Sequence, residues 1–210
     1  MQPVRFELFR FRVEVLPTFF LIVGISALFE LSYGTPLHAI QWGLVLFVSI
    51  IVHELGHAFA ARRFGLRVGE IQLHMMGGHV THERTKPARQ LAISLAGPAA
   101  GISLGLLTFA IAQVVPPSAF TESLVADMLY VNIFWSLVNL LPLYPLDGGM
   151  GLQSALAMRI GERRAVRITA TVGVLLGIGL IVVGYQSGFR FLPMIAGLAA
   201  WTNWQRLQGT

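Results

Sequence analysis

The residues best suited to chemistry in this sequence are two histidines and a glutamate in the run His53-Glu54-Leu55-Gly56-His57. In an α-helix, residues four positions apart lie on one face, so His53 and His57 present their imidazoles side by side. Two imidazoles in this arrangement can bind one metal ion, and Glu54 can take a proton from an attacking water molecule. The alternative is a coincidental match in which both histidines only pack in a core. Because three ionisable residues are costly in an apolar segment, the run predicts zinc-type chemistry inside a membrane.

The composition supports a membrane location for this site. Hydrophobic residues make up 55% of the 210 residues and charged residues only 12%, and the mean hydropathy is +0.68. An ordinary soluble domain carries about 25% charged residues. The chain has no cysteine, so a bound metal must use histidine and carboxylate ligands.

The net charge of +5 first suggests a nucleic-acid partner. However, the basic residues flank apolar runs and do not form one stripe, and this distribution is typical of membrane topology. We therefore expect no nucleic-acid partner.

The apolar runs predict an all-α, multi-pass membrane protein that forms a single domain over residues 1–210. A membrane-spanning helix needs about 20 apolar residues, and about six runs qualify or come close. A basic amphipathic helix on the surface is expected over Gly151–Arg167, between the fourth and fifth spans. The expected spans are residues 15–31, 40–61, 91–115, 128–146, 168–185 and 191–204.

The segment between the second and third spans is predicted to form a short β-hairpin. Val68, Ile71, Leu73 and Val80 flank the pair Gly77-Gly78, as expected for two short strands joined by a turn. An exposed edge of such a hairpin could hold an extended peptide by strand addition. His74, His79 and His82 suggest a second metal cluster, but their spacing matches no ligand pattern and polar loops often carry histidine.

The end of the fourth span carries a candidate third ligand. Pro142 and Pro145 cannot continue a regular helix, so they free backbone groups near the membrane. Such backbone is tolerated at that depth only where it is buried or lines a wet cavity. Asp147 follows directly, and it is either a helix cap, an interfacial charge or the third metal ligand. We favour the ligand.

Basic residues also predict the orientation in the membrane. With the N-terminus in the cytoplasm, 14 of the 15 Lys and Arg residues lie on the inner side, and only Arg190 lies outside. This distribution predicts that both termini are cytoplasmic. It also places the His57 end of the second span and the Asp147 end of the fourth span on the same side. The expected location is the plasma membrane of a prokaryote.

Two motifs together resemble the site-2 protease family of intramembrane zinc metalloproteases. His53-Glu54-Leu55-Gly56-His57 is similar to the family's zinc-binding motif. Asn139-Leu140-Leu141-Pro142, followed by Pro145-Leu146-Asp147-Gly148-Gly149, is similar to its second motif. Gly77-Gly78 and Ala96-Gly97-Pro98 also stand where the family often has the same residues. No PDZ or CBS domain is expected.

The resemblance implies a metalloprotease that cleaves membrane-protein substrates within or near a transmembrane helix. His53, His57 and Asp147 would hold one Zn²⁺ per chain, and Glu54 would act as the general base. Asn139 would hydrogen-bond the substrate backbone or the developing oxyanion, or would only pack between helices. The main alternative is a metal-ion transporter with an intramembrane His, Glu and Asp site, although the outer halves of the spans offer only Asp127 and Asn132 as polar groups.

Overall fold

The computed structural model describes residues 2–33, 35–75, 77–187 and 191–209. Arg190, the one basic residue assigned to the outer side, lies outside this described part. A π-helical turn, Tyr130–Phe134, joins the helix that ends at Leu129 to the helix that begins at Trp135. The strands are β1 (Val4–Leu8), β2 (Phe11–Val15), β3 (Val68–His74) and β4 (Gly77–His82). The helices are α1 (Pro17–Tyr33), α2 (Pro36–Arg63), α3 (Pro87–Ala112), α4 (Ala119–Leu129), α5 (Trp135–Asn139), α6 (Asp147–Ile160), α7 (Glu162–Ser187) and α8 (Phe191–Gln208).

Three helices within the described residues are long and apolar enough to cross a membrane, namely α2, α3 and α7. The apolar part of α1, Pro17–Leu28, is shorter. The prediction of a mainly helical membrane protein is therefore confirmed. The count of six spans is not confirmed by helix length and composition.

A four-stranded sheet in the order β1-β2-β3-β4 is the main departure from the all-α prediction. The expected hairpin is present as β3 and β4, which pair antiparallel, with Ile71 opposite Val80. The N-terminal hairpin of β1 and β2 was not predicted, and β2 pairs with β3 in parallel. The N-terminal hairpin carries a local signal that the prediction missed, because apolar and charged residues alternate along both VRFEL and FRVEV. Only the parallel pairing of β2 with β3 depends on contacts between distant segments.

The sheet packs against the half of α2 that carries the histidines. Phe11, Val13 and Val15 alternate towards the core on β2 and join Ile71 and Leu73 of β3. From α2 the same core receives Ile51, Leu55 and Ala58. Removing these side chains from water stabilises the contact by roughly 1.5–3 kcal/mol for each large residue. The sheet therefore holds the second half of α2 in a fixed orientation.

A buried carboxylate ties the N-terminal hairpin to β3. Glu14 accepts hydrogen bonds from Arg5 at 2.6 and 2.8 Å and from the Gln72 amide at 2.7 Å. The bonds from Arg5 and Gln72 lower the pKa of Glu14, against the opposing effect of burial. Glu14 thus stays ionised where it links three neighbouring strands.

The fourth span differs from its predicted bounds. The helical run begins earlier, at Ala119, and ends at Asn139. Residues 140–146 are not helical, as Pro142 and Pro145 predict. The expected basic surface helix is also divided, because α6 ends at Ile160 and α7 begins at Glu162, after Gly161 with a φ of 80°. Arg163, Arg164 and Arg167 therefore belong to α7.

The contacts divide the chain into two compact units, Met1–Arg84 with Ala96–Leu137, and Thr85–Leu95 with Val138–Thr210. The first unit contains the sheet, α1, α2, α4, the part of α3 from Ala96 onward and the start of α5. The second contains α6, α7 and α8, with small residues on α7 allowing close approach of α8. A Cβ on Gly177, for example, would lie 2.8 Å from the Cβ of Ala200. Gly177 therefore serves the close packing of α7 against α8.

Candidate metal centre

His53 and His57 lie together on α2, as the i, i+4 spacing predicts. Their Nε2 atoms are 3.2 Å apart, and the two rings are inclined at 78° to each other. In a tetrahedral zinc site with bonds of about 2.0–2.1 Å, neighbouring nitrogens lie about 3.3 Å apart. The separation therefore suits two ligands of one metal ion, and it equally suits a hydrogen bond between the rings.

Glu54 is placed beside this pair and is only 5% exposed. The backbone of β4 reaches it at Gly78, where an added Cβ would overlap the Glu54 carboxyl group. A glycine is required here because any side chain would displace Glu54. The carboxylate is thus held in a protected position next to the two imidazoles.

Helix α3 approaches the histidines through a second glycine. An added Cβ on Gly97 would overlap the His57 ring and would lie 2.8 Å from Nε2 of His53. On the facing side, a Cβ on Gly56 would collide with the carbonyl of Ala96 and the Cβ of Ala100. The small residues at this stretch therefore allow α3 to pack closely against α2. The contact of Gly97 with both imidazoles was missed, because only tertiary structure brings them together.

We expect Gly97→Ala to weaken binding of Zn²⁺, the predicted metal, by about tenfold, since the new methyl group must push the imidazoles aside. Gly179→Ala is a matched control, because nothing lies within 4 Å of a Cβ added there. Competition with a chelator of known affinity, carried out on both purified variants, measures the effect. Equal affinities for the two variants would show that Gly97 does not position the histidines.

Asp147 is the first residue of α6 and is 6% exposed. Together with His53 and His57 of α2, this residue makes up the predicted ligand set. Two imidazoles and a carboxylate suit zinc, and three protein ligands leave a fourth position open. The chemistry of the donor set therefore fits the predicted metal.

The other candidate residues have different surroundings. His74, His79 and His82 belong to β3 and β4. Burial lowers the pKa of His79, and the nearby histidines lower it further. Asn139 is the half-buried last residue of α5, directly before the non-helical segment.

Two polar residues of the fourth span join helices instead of standing alone. The Asn132 amide donates to Ser49 Oγ at 2.8 Å, one helical turn before His53 on α2. Asp127 accepts from the Gln41 amide at 2.8 Å, and its carboxylate lies 3.2 Å from Nε2 of His38. These contacts bind the fourth span to α2 and give both residues a structural role.

Comparison with known proteins gives one family. The family model of peptidase family M50 matches residues 42–127 and 116–180. Zinc metalloprotease MJ0392 of Methanocaldococcus jannaschii is 26% identical over 186 residues, which is 87% of this chain and 53% of that protein. Stage IV sporulation protein FB of Bacillus subtilis is 31% identical over 128 residues, covering 60% of this chain and 43% of that protein.

A solved structure shares the fold. The site-2 protease from Methanocaldococcus jannaschii superposes with a TM-score of 0.74 and 24% sequence identity. The match covers 98% of this chain and 95% of that one. The chain spans about half the length of the curated relatives that it matches, such as 53% of the archaeal metalloprotease.

Proposed function

Because this chain belongs to peptidase family M50, we propose that it is an intramembrane zinc metalloprotease. Its reaction is the hydrolysis of peptide bonds in or near transmembrane segments of membrane-protein substrates. The observation that carries the proposal is the pair of Nε2 atoms of His53 and His57, 3.2 Å apart, beside the buried Glu54 on α2. That helix is itself long and apolar enough to cross a membrane.

In this proposal His53, His57 and Asp147 hold one zinc ion per chain. When bound, zinc polarises the scissile carbonyl and lowers the pKa of water towards about 7. Glu54 takes the proton of the attacking water and later delivers it to the leaving amine. Asn139 donates a hydrogen bond to the substrate backbone or to the developing oxyanion.

The sheet offers a way to hold the substrate. β4 lies at one edge of the sheet, and its Gly78 contacts Glu54 closely. A helical substrate shields its carbonyls in its own hydrogen bonds and must unwind before hydrolysis. An unwound segment added to the edge of β4 would recover backbone hydrogen bonds independently of sequence. The scissile bond would then lie next to the general base.

A metal-ion transporter is the second candidate, since ionisable residues within a membrane often mark an ion pathway. Asp127 and Asn132 were the polar groups available for such a path, and both are engaged in contacts with α2. One liposome experiment separates the candidates by measuring zinc flux and cleavage of a single-span substrate in the same preparation. Cleavage without flux supports the protease, and flux without cleavage would replace it by the transporter.

We also propose one membrane domain, residues 1–210, with six spans in the plasma membrane of a prokaryote and both termini in the cytoplasm. The observation behind this topology is the distribution of basic residues, 14 of 15 on one side. Reporter fusions at both ends of the chain should give cytoplasmic signals, whereas a fusion near Arg190 should report the outer side. A C-terminus on the outer side would contradict the topology.

A further inference from the structure

An asparagine near the end of the chain contacts the segment that leads to Asp147. Asn203 lies on α8 and is 0% exposed. Its side-chain amide donates to the carbonyl of Tyr144 at 2.7 Å and to the carbonyl of Ala199, in its own helix, at 2.8 Å. A buried carboxamide is costly in an apolar helix unless it is paired. The bond to Tyr144 therefore marks a specific structural link.

The orientation of this amide is held by α7. A Cβ on Gly173 would overlap the carboxamide of Asn203, so the glycine leaves room only for the side chain as it stands. Its Oδ1 atom is buried and accepts no hydrogen bond from the described residues. In this orientation the amide nitrogen points at Tyr144, while the amide oxygen remains without a donor among the described residues.

Arg206 lies on α8 one helical turn after Asn203 and contacts the same tyrosine. Its guanidinium group lies 3.8 Å from the centroid of the Tyr144 ring, and it donates to Gln153 Oε1 on α6 at 2.7 Å. A cation over an aromatic face contributes about 0.5–2 kcal/mol, depending on desolvation. Arg206 therefore fastens both the tyrosine and the helix that begins at Asp147.

The chain from Tyr144 to Asp147 has little freedom. A Cβ on Gly149 would lie 2.6 Å from the backbone nitrogen of Tyr144, so the start of α6 packs directly on this segment. A Cβ on Gly148 would likewise overlap the carbonyl group of Leu140. Movement of Tyr144 must therefore be transmitted to the first residue of α6, which is Asp147.

We propose that Asn203 and Arg206 are positioning residues that fix the Asp147 carboxylate for metal binding by anchoring Tyr144. This inference rests on the proposed function, in which Asp147 is a zinc ligand. Neither residue touches the metal in this proposal. They act on Asp147 through the backbone of residues 144–147, as outer groups orient the ligands of many metal sites.

The test compares the zinc affinity of Asn203→Leu with that of the wild type, using chelator competition on purified protein. Leucine has a similar volume but no donor, so we expect an affinity lower by about tenfold or more. Thr202→Val is the matched control, since the hydroxyl of this neighbour donates to the carbonyl of Leu198 in its own helix, and the zinc affinity of this variant should stay within about twofold of the wild type. Co²⁺ substitution adds an absorption spectrum that reports the ligand geometry.

Two further variants, Arg206→Met and Asp147→Asn, make the test of the positioning role conclusive. If Asn203→Leu does not fold, Arg206→Met removes the other anchor and should also weaken zinc binding. Unchanged zinc affinity in the folded variant would overturn the inference, even if thermal stability in the presence of a chelator falls. Asp147→Asn serves as the reference. If this variant loses zinc while Asn203→Leu and Arg206→Met keep it, only the positioning role is rejected, and the proposed ligand set stands. Unchanged zinc binding in Asp147→Asn would instead reject the proposed ligand set.

Discussion

Replacing Glu54 by Gln is expected to lower the rate of substrate cleavage by about a thousandfold while zinc remains bound at the wild-type level. Gln has nearly the same shape as Glu but cannot accept the proton of the attacking water. The side chain is buried, and β4 contacts it at Gly78, so the variant should keep its position. Zinc content and the single-turnover cleavage rate, measured in one detergent or liposome preparation, provide the test.

Glu122→Gln is the control for this change, because Glu122 is an exposed residue in the first turn of α4. It should cleave at the wild-type rate. If Glu54→Gln retained cleavage, Glu54 would not be the general base. If it lost zinc in proportion to activity, Glu54 would have to be a ligand, as the transporter alternative requires.

Alanine at His53, His57 or Asp147 is expected to reduce bound zinc from about one ion per chain to roughly a tenth or less, because each change removes one of the three proposed ligands. Cleavage should fall below detection in all three variants. The measurement is metal analysis after dialysis against a buffer with low free zinc. Thermal unfolding with and without added zinc checks that the variants still fold.

His79→Ala is the matched control for the ligand variants. His79 lies on β4 and is not one of the three proposed ligands. It should therefore retain full zinc occupancy. If His79→Ala lost zinc while His57→Ala kept it, the metal would be bound by the histidines of the sheet and not by those of α2.

The proximity of the two histidines could be predicted from the sequence because it is local. A spacing of four residues on a helix is enough to bring His53 and His57 together, and the structure places their Nε2 atoms 3.2 Å apart. Asp147 was accessible to the same reasoning because two prolines mark the end of the preceding helix. In both cases the signal lies within one short stretch of chain.

The helix that enters the predicted fourth span begins before the predicted start of that span. Asp127 was taken as the charged end of the apolar run, yet it lies within a continuous helical segment that begins at Ala119. Its carboxylate accepts a hydrogen bond from Gln41 and contacts His38, both on α2. A carboxylate with such partners can lie within an apolar helix. The sequence alone does not show that Gln41 and His38 are its partners.

Further omissions depend on contacts between distant segments. β2 finds its partner β3 more than fifty positions later, as the pairing of Val13 with Ile71 shows. Asn203 and Tyr144 are separated by 59 positions. Asn203 belongs to no recognised motif, and although Gly97 lies in the Ala96-Gly97-Pro98 stretch, its contact with the histidines arises only in the tertiary structure.

The measurement that tests the central claim most directly is cleavage of a single-span substrate by the purified protein in liposomes, with the cut mapped by mass spectrometry. We expect a cut within or beside the transmembrane segment of the substrate. It should disappear when zinc is removed by a chelator, return when zinc is added back, and be absent with Glu54→Gln. A folded, zinc-loaded protein that leaves every tested single-span substrate intact, or a cut that persists in Glu54→Gln, would contradict the proposed function.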